Sequence, residues 1–196
     1  MTRIKVKICL VGEMAVGKSS LIRRYVQHVY DDKYLSTLGV NVTRKSFELP
    51  SPEGGVPVEF EMMIWDVMGR RGVHESYFHG AAGIVAVCDV TRRETLDALP
   101  GWIEDVRRVA GTPVIVIAAN KADLVNESRI EATEIARLAE SMGAQWLATS
   151  AKSGENIEEL FRELAERVLA SILAAQPEAR VNEPPGVGRS ILQGPR

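Results

Sequence analysis

Residues 4–20 read IKVKICLVGEMAVGKSS, and the whole fold is read outward from this stretch. An apolar run rich in Val and Ile ends at Val11. Gly12 to Ser19 then fit the spacing G-x-x-x-x-G-K-[ST]. A strand that gives way to a glycine-bounded loop and then to a helix is a frame for polyphosphate. The glycines let backbone N–H groups turn inward, and the helix start adds its dipole. Lys18 brings a point charge, and the Ser19 hydroxyl is an oxygen ligand suited to Mg²⁺. Gly12, Ala15, Val16, Gly17, Lys18, Ser19 and Ser20 are therefore read together as a phosphate cradle. The plain alternative is a chance glycine-rich turn between strand and helix.

Beyond the cradle, apolar runs alternate with helical patterns. The runs span 4–11, 58–67, 83–90, 113–120 and 144–149, and the helical patterns 17–28, 94–109, 130–142 and 155–174. Several runs are continuously apolar, as strands covered on both faces are. The last helical pattern carries a stripe of Ile157, Leu160, Phe161, Leu164, Val168 and Leu169, with Ser153 as an expected cap. Strand–helix alternation predicts a parallel sheet between two helical layers. One region departs from it. VNVTRKSFELP at 40–50 alternates apolar and polar residues, a Pro- and Gly-rich stretch interrupts, and a second strand follows. That pattern predicts a hairpin and one antiparallel pair at the sheet edge. Residues 176–196 are rich in Pro and Gly and are read as a flexible tail after a domain of residues 1–175.

Composition narrows the function classes. The chain has 196 residues, 45% hydrophobic and 26% charged, with a formal net charge of −2. This balance gives no general attraction to nucleic acid or to an anionic membrane. Cys9 and Cys88 sit in apolar runs and form no disulfide framework or metal-ligand spacing. The N-terminus lacks a signal-peptide pattern, and no segment reaches the ~20 apolar residues of a membrane span. The ending SILQGPR carries no cysteine for a lipid anchor. A cytoplasmic protein is expected.

A base-recognition signal lies further on. NKAD, Asn120 to Asp123, ends the apolar run 113–119. A carboxylate at a strand end can accept two N–H donors from the guanine edge, and adenine offers no matching pair. TSAK, Thr149 to Lys152, closes the last strand in the same way.

GEMAVGKSS, YLSTLGVNV, WDVMG, CDVTRRETL, NKAD and SAK, in this order over residues 4 to about 174, resemble the motif set of the Ras superfamily of small GTPases, closest in style to Rab-like members. The missing tail cysteine suggests a prokaryotic or archaeal one. The resemblance implies an α/β, three-layer P-loop NTPase fold with a mostly parallel six-stranded sheet and one antiparallel edge strand. It implies a GTP/GDP switch with Mg²⁺. Asn120, Lys121 and Asp123 would hold guanine, and Ser150, Ala151 and Lys152 would complete the pocket, mainly through the Ala151 N–H. Tyr30 would lie against guanine and ribose, and Tyr34 would lid the phosphates. Thr37 would join Ser19 on Mg²⁺ when the γ-phosphate is present, and Asp66 would hold a Mg²⁺ water. The Gly69 N–H would meet the γ-phosphate. Protein effectors and regulators would bind through residues 30–40 and 66–80. Trp65, Trp102 and Trp146 are read as packing residues, with a place on that surface as the alternative for Trp65.

Two positions depart from the resemblance. Efficient hydrolysers carry glutamine after D-x-x-G, where it orients the attacking water. Here Arg70 follows Gly69. Arginine has five donors and no acceptor, so it cannot accept a hydrogen bond from that water. Met14 stands where fast members have a small residue, and the segment after Arg70 is about three residues shorter than in Rab-like chains. Three readings stay open: slow hydrolysis, Arg70 as an arginine finger in cis, or nucleotide-dependent binding without useful chemistry. Arg70 and Arg71 as plain solvated charges is the bland fourth. Slow hydrolysis is the expectation, because Lys18, Mg²⁺ and the loop amides supply much of the electrostatic stabilisation. HESYFH at 74–79 spaces its histidines five apart and is not read as a zinc site.

Overall fold

The computed structural model describes residues 2–31, 39–51, 54, 56–70, 72 and 75–175. In chain order the elements are β1 (Arg3–Val11), α1 (Lys18–Gln27), β2 (Val40–Leu49), β3 (Val58–Val67), β4 (Ala81–Asp89), α2 (Arg93–Asp97), α3 (Leu99–Ala110), β5 (Val114–Asn120), α4 (Ala132–Met142), β6 (Gln145–Thr149) and α5 (Ile157–Ala175). Short 3₁₀ turns lie at Glu75–Phe78 and Val125–Glu127.

Six strands form one sheet in the order β2-β3-β1-β4-β5-β6. Every neighbour pair is parallel except β2 and β3, whose hairpin runs antiparallel from Val40 against Val67 to Leu49 against Val58. The sequence expectation of a mostly parallel sheet with an antiparallel edge therefore holds. Strand alternation divides the core. Ile8, Leu10, Phe60, Met62, Val85 and Val116 pack with Leu21 and Ile22 of α1 and Leu160, Phe161 and Leu164 of α5. Cys9, Val11, Ile84, Ala86 and Ile117 pack on the other side with Leu96 of α2, Trp102, Ile103 and Val106 of α3 and Ile135 of α4. Tyr25 stacks on Phe161 with ring centroids 4.1 Å apart. Truncating a buried phenylalanine such as Phe161 costs about 3–5 kcal/mol.

The helical pattern at 94–109 is two helices, not one. Pro100 falls in the first turn of α3. Proline has no N–H and its ring collides with the carbonyl four residues earlier, so the chain closes α2 at Asp97 and restarts. The cap of α5 also differs. Ser153 lies in the preceding turn, where its Oγ accepts from the Glu155 N–H at 3.3 Å, and α5 begins only at Ile157. α4 is capped at its N-terminus by a capping box between Glu131 and Glu134.

The order of the strands positions the site. β1 lies between β3 and β4, and the chain leaves it to opposite sides. The carboxyl end of β1 is thus a topological switch point, where an open α/β sheet makes a crevice. The loop 12–17 sits there, with the ends of β5 and β6 on the same edge of the sheet.

Candidate nucleotide-binding site

The loop from Gly12 to Gly17 turns from β1 into α1. Gly17 has φ 103, and an added Cβ would lie 2.2 Å from the Asn120 amide nitrogen. Only glycine fits that approach. Inside the loop, the buried Lys18 ammonium donates to Gly12 O at 2.7 Å and Glu13 O at 2.8 Å. An ammonium has three protons, so one is left for a ligand. Burial pushes Lys18 down to about 8, against the partial opposition of Asp66 and Glu13.

Ser19 Oγ, at the start of α1, donates to Asp66 Oδ2 near the end of β3. A hydroxyl and a carboxylate thus converge beside the Lys18 ammonium, two hard oxygen ligands of the kind that Mg²⁺ takes. Among the described residues no group of three or more His, Cys, Asp or Glu side chains could hold a metal. A divalent ion here would need further ligands from phosphate or water, which is the ordinary habit of Mg²⁺. Gly69 approaches the loop closely: an added Cβ would lie 2.7 Å from Glu13 C, Met14 N and Lys18 Nζ. Any side chain at 69 would collide.

Asn120, at the end of β5, is buried and ties two loops together. Its Nδ2 donates to Val16 O at 2.8 Å, and its Oδ1 accepts from the Ala151 N–H at 3.3 Å and from Thr149 Oγ1 at 3.4 Å. Asp123 Oδ1 accepts from Ser150 Oγ at 2.5 Å, and Ser150 Oγ accepts from the Ser153 N–H at 3.0 Å. These loops border an open cavity of about 240 Å³, lined by Gly17, Ser20, Tyr30, Asn120, Lys121, Asp123, Leu124, Ala151 and Lys152.

Asp89, fully buried at the end of β4, lies behind this frame. It receives Lys121 Nζ at 2.5 Å, Arg92 Nε at 3.2 Å, and Thr91 through its N–H at 3.0 Å and its hydroxyl at 2.7 Å. Burial alone would raise its carboxyl, but the bonds from Lys121 and Thr91 prevail and hold it below the ordinary aspartate value. Arg92 continues to the phosphate loop, donating from Nη2 to Met14 O at 2.8 Å. Trp102 of α3 donates from Nε1 to Glu13 Oε1 at 3.0 Å.

A sequence profile described as the Ras family matches residues 7–170. The chain belongs to the Ras family of small GTPases. It is 33% identical over 192 residues to the Ras-related protein Rab-4A of Rattus norvegicus, covering 96% of this chain and 83% of that protein, and the Bos taurus Rab-4A matches equally. It is 31% identical over 171 residues to Ras-related protein Rab-4 of Dictyostelium discoideum, covering 85% and 80% of the two chains.

In this Ras-family chain the structure brings together most of the residues that the sequence singled out. Ser20, Tyr30, Asn120, Lys121, Asp123, Ala151 and Lys152 line the cavity, and buried Ser150 bonds Asp123 of that wall. Tyr34, Thr37 and Arg71 lie outside the described residues. Met14 and Arg70 are both exposed, and the Arg70 N–H donates to Met68 O at 2.8 Å. Sequence reasoning missed Leu124 on the cavity wall. It also missed the Glu13–Trp102 bond and the Asp89–Arg92 bridge. In CDVTRRETL, an aspartate that ends an apolar run and is followed by arginine is a signal in itself.

Proposed function

We propose that this chain is a GTP/GDP molecular switch that hydrolyses GTP slowly, with Mg²⁺. One observation carries the reading. The Asn120 amide bonds the phosphate loop at Val16 and the last loop at Ala151, so both frame one cavity. In this reading Gly12, Ala15, Val16, Gly17 and Ser20 hold the phosphates through backbone N–H groups, and Lys18 neutralises their charge. Asn120, Lys121 and Asp123 take the guanine, with Ser150, Ala151 and Lys152 completing the pocket. Tyr30 and Tyr34 flank the nucleoside. Ser19 and Thr37 would ligate Mg²⁺ directly, and Asp66 through water. The ion would supply charge neutralisation on the β- and γ-phosphates.

Hydrolysis gives GDP and phosphate by in-line attack of water on the γ-phosphorus. Lys18 and the Gly69 N–H stabilise charge on the γ-phosphoryl oxygens. Arg70 cannot accept a hydrogen bond from the water, so the nucleophile lacks the orientation that a glutamine supplies. Loss or gain of the γ-phosphate contacts at Thr37 and Gly69 changes residues 30–40 and 66–80, which present the surface for effectors and regulators. Beside them, β2 and β3 place exposed Val42 opposite Trp65. No role on nucleic acid is proposed. Among the described residues no helix is long and apolar enough to cross a membrane, and a cytoplasmic site of action is proposed. The domain is taken as residues 1–175, with 176–196 as a tail.

Single-turnover phosphate release, compared with a Lys18→Ala control, tests the chemistry. Release above the control at a low rate is expected; release equal to the control contradicts slow hydrolysis. A second reading, a GTP-dependent binding module without hydrolysis, is favoured by exposed Met14 on the same rim as exposed Arg70. Under it, wild type matches the control, and Arg70→Gln with Met14→Gly creates release.

A further inference from the structure

The phosphate loop is held from outside at alternate carbonyls. Arg92 Nη2 donates to Met14 O at 2.8 Å, and Asn120 Nδ2 donates to Val16 O at 2.8 Å. Between these two anchors stands Ala15, with φ 63. That left-handed conformation is unfavourable for a residue with a Cβ and persists only where surrounding contacts enforce it. A trans peptide is planar, and its C=O and N–H point in opposite directions. Pinning Met14 O outward therefore aims the Ala15 N–H inward, as pinning Val16 O aims the Gly17 N–H.

We propose that Arg92 is a positioning residue for the phosphate loop, clamping the Met14 carbonyl so that the Ala15 N–H faces the distal phosphates of the nucleotide. The inference rests on the guanine-nucleotide reading above. Ala15 lies beyond Gly17 and Ser20, which line the cavity next to the base motif. Its N–H therefore serves phosphates further from the base than the first. Without the clamp, the peptide between Met14 and Ala15 is free to rotate, relieving the strain at Ala15 and turning a carbonyl oxygen toward the anion.

The side chain is suited to the task. Its Nε is held by Asp89 Oδ2 at 3.2 Å while Nη2 reaches Met14 O, and its own N–H donates to Asp89 O at 2.9 Å. A planar guanidinium serves two acceptors in fixed directions, which an ammonium on a flexible stem does not. Because Asp89 also binds Lys121, the clamp and the base motif share one carboxylate.

The test uses the full chain and fluorescent GDP, with GMP as the probe that lacks distal phosphates. Arg92→Ala is expected to shorten GDP residence about tenfold, the scale of one lost charge-assisted hydrogen bond. GMP affinity should stay unchanged, and the melting temperature of the nucleotide-free protein should fall only modestly, because Asp89 keeps Lys121 and Thr91. Arg92→Lys should recover only part of the loss. If Arg92→Ala proves unstable, Arg92→Lys carries the same test through its GDP-to-GMP affinity ratio, which should fall. Unchanged GDP residence in wild-type-like fold, or an equal loss for GMP and GDP, overturns the role of Arg92. Failure of the wild-type chain to retain GDP overturns instead the nucleotide reading on which it rests.

Discussion

Two of the carboxylates buried in the sheet, Asp89 and Glu61, do different work. Asp89 ends β4 and gathers Lys121, Arg92 and Thr91. Glu61 lies within β3 and gathers Arg3, with Arg44 at 3.2 Å and Lys5 at 3.5 Å. Both carboxyls would be raised by burial and are instead held below their ordinary values by these partners. The difference is where the cations lead. Those on Asp89 belong to the base motif or reach the phosphate loop at Met14. Those on Glu61 come from β1 and β2 and project half-exposed from the sheet, away from the site. The same electrostatic device staples strands in one place and, under the proposed function, aligns the candidate site in the other. Charge pairing alone does not mark function; the further contacts of the partners do.

The largest contrast should come from neutralising each carboxylate. Asp89→Asn is expected to weaken GDP binding about tenfold or more, because two partly exposed cations lose their buried partner. Glu61→Gln should lower the melting temperature while leaving GDP affinity within about twofold. Titration with fluorescent GDP beside thermal melts measures both, and equal effects on affinity would erase the distinction. A smaller effect is expected from Trp102→Phe. It removes a bond to the Glu13 carboxylate, worth about 1.5–3 kcal/mol, and should shift GDP affinity as well as stability.

How these residues were read from sequence explains part of the contrast. The strand–helix order, the hairpin and the cradle were legible because period and glycine spacing are local signals. NKAD and TSAK were legible as strand-end motifs. The partition of roles was not. Asn120 bonds Val16 across 104 positions of sequence, and Trp102 meets Glu13 across 89. Such pairs arise from the strand order β3-β1-β4-β5, which no local pattern encodes. Pro100 did carry a local signal for the break between α2 and α3, and the helical periodicity running through it hid the restart. Leu124 on the cavity wall looked like any apolar residue beside a motif.

pH sharpens the comparison through Lys18. Its ammonium is pushed down to about 8 from 10.5 by burial. Between those values the unfolded chain binds the proton and the folded chain does not, so this group adds stability to the ligand-free protein as pH rises. Under the proposed function the nucleotide phosphates favour the charged form. The stabilisation conferred by GDP should therefore shrink as pH rises through about 8, read as the difference between melting temperatures with and without GDP. A gain in that difference would contradict the placement of Lys18 beside the phosphates. The smallest effect is expected at Arg44→Ala. That exposed partner of Glu61 should cost less than about 1 kcal/mol, with no change in GDP residence by stopped-flow chase.

The central claim is that a guanine ring and a polyphosphate are held together by the loop at Gly12–Ser19 and the motif at Asn120–Asp123. Equilibrium dialysis of labelled GDP against the magnesium-loaded wild-type chain, with ATP and GTP as competitors, tests it most directly. The account predicts saturable retention that GTP displaces and that ATP displaces at least about 100-fold less well. No retention of GDP, or displacement by ATP as effective as by GTP, would contradict it.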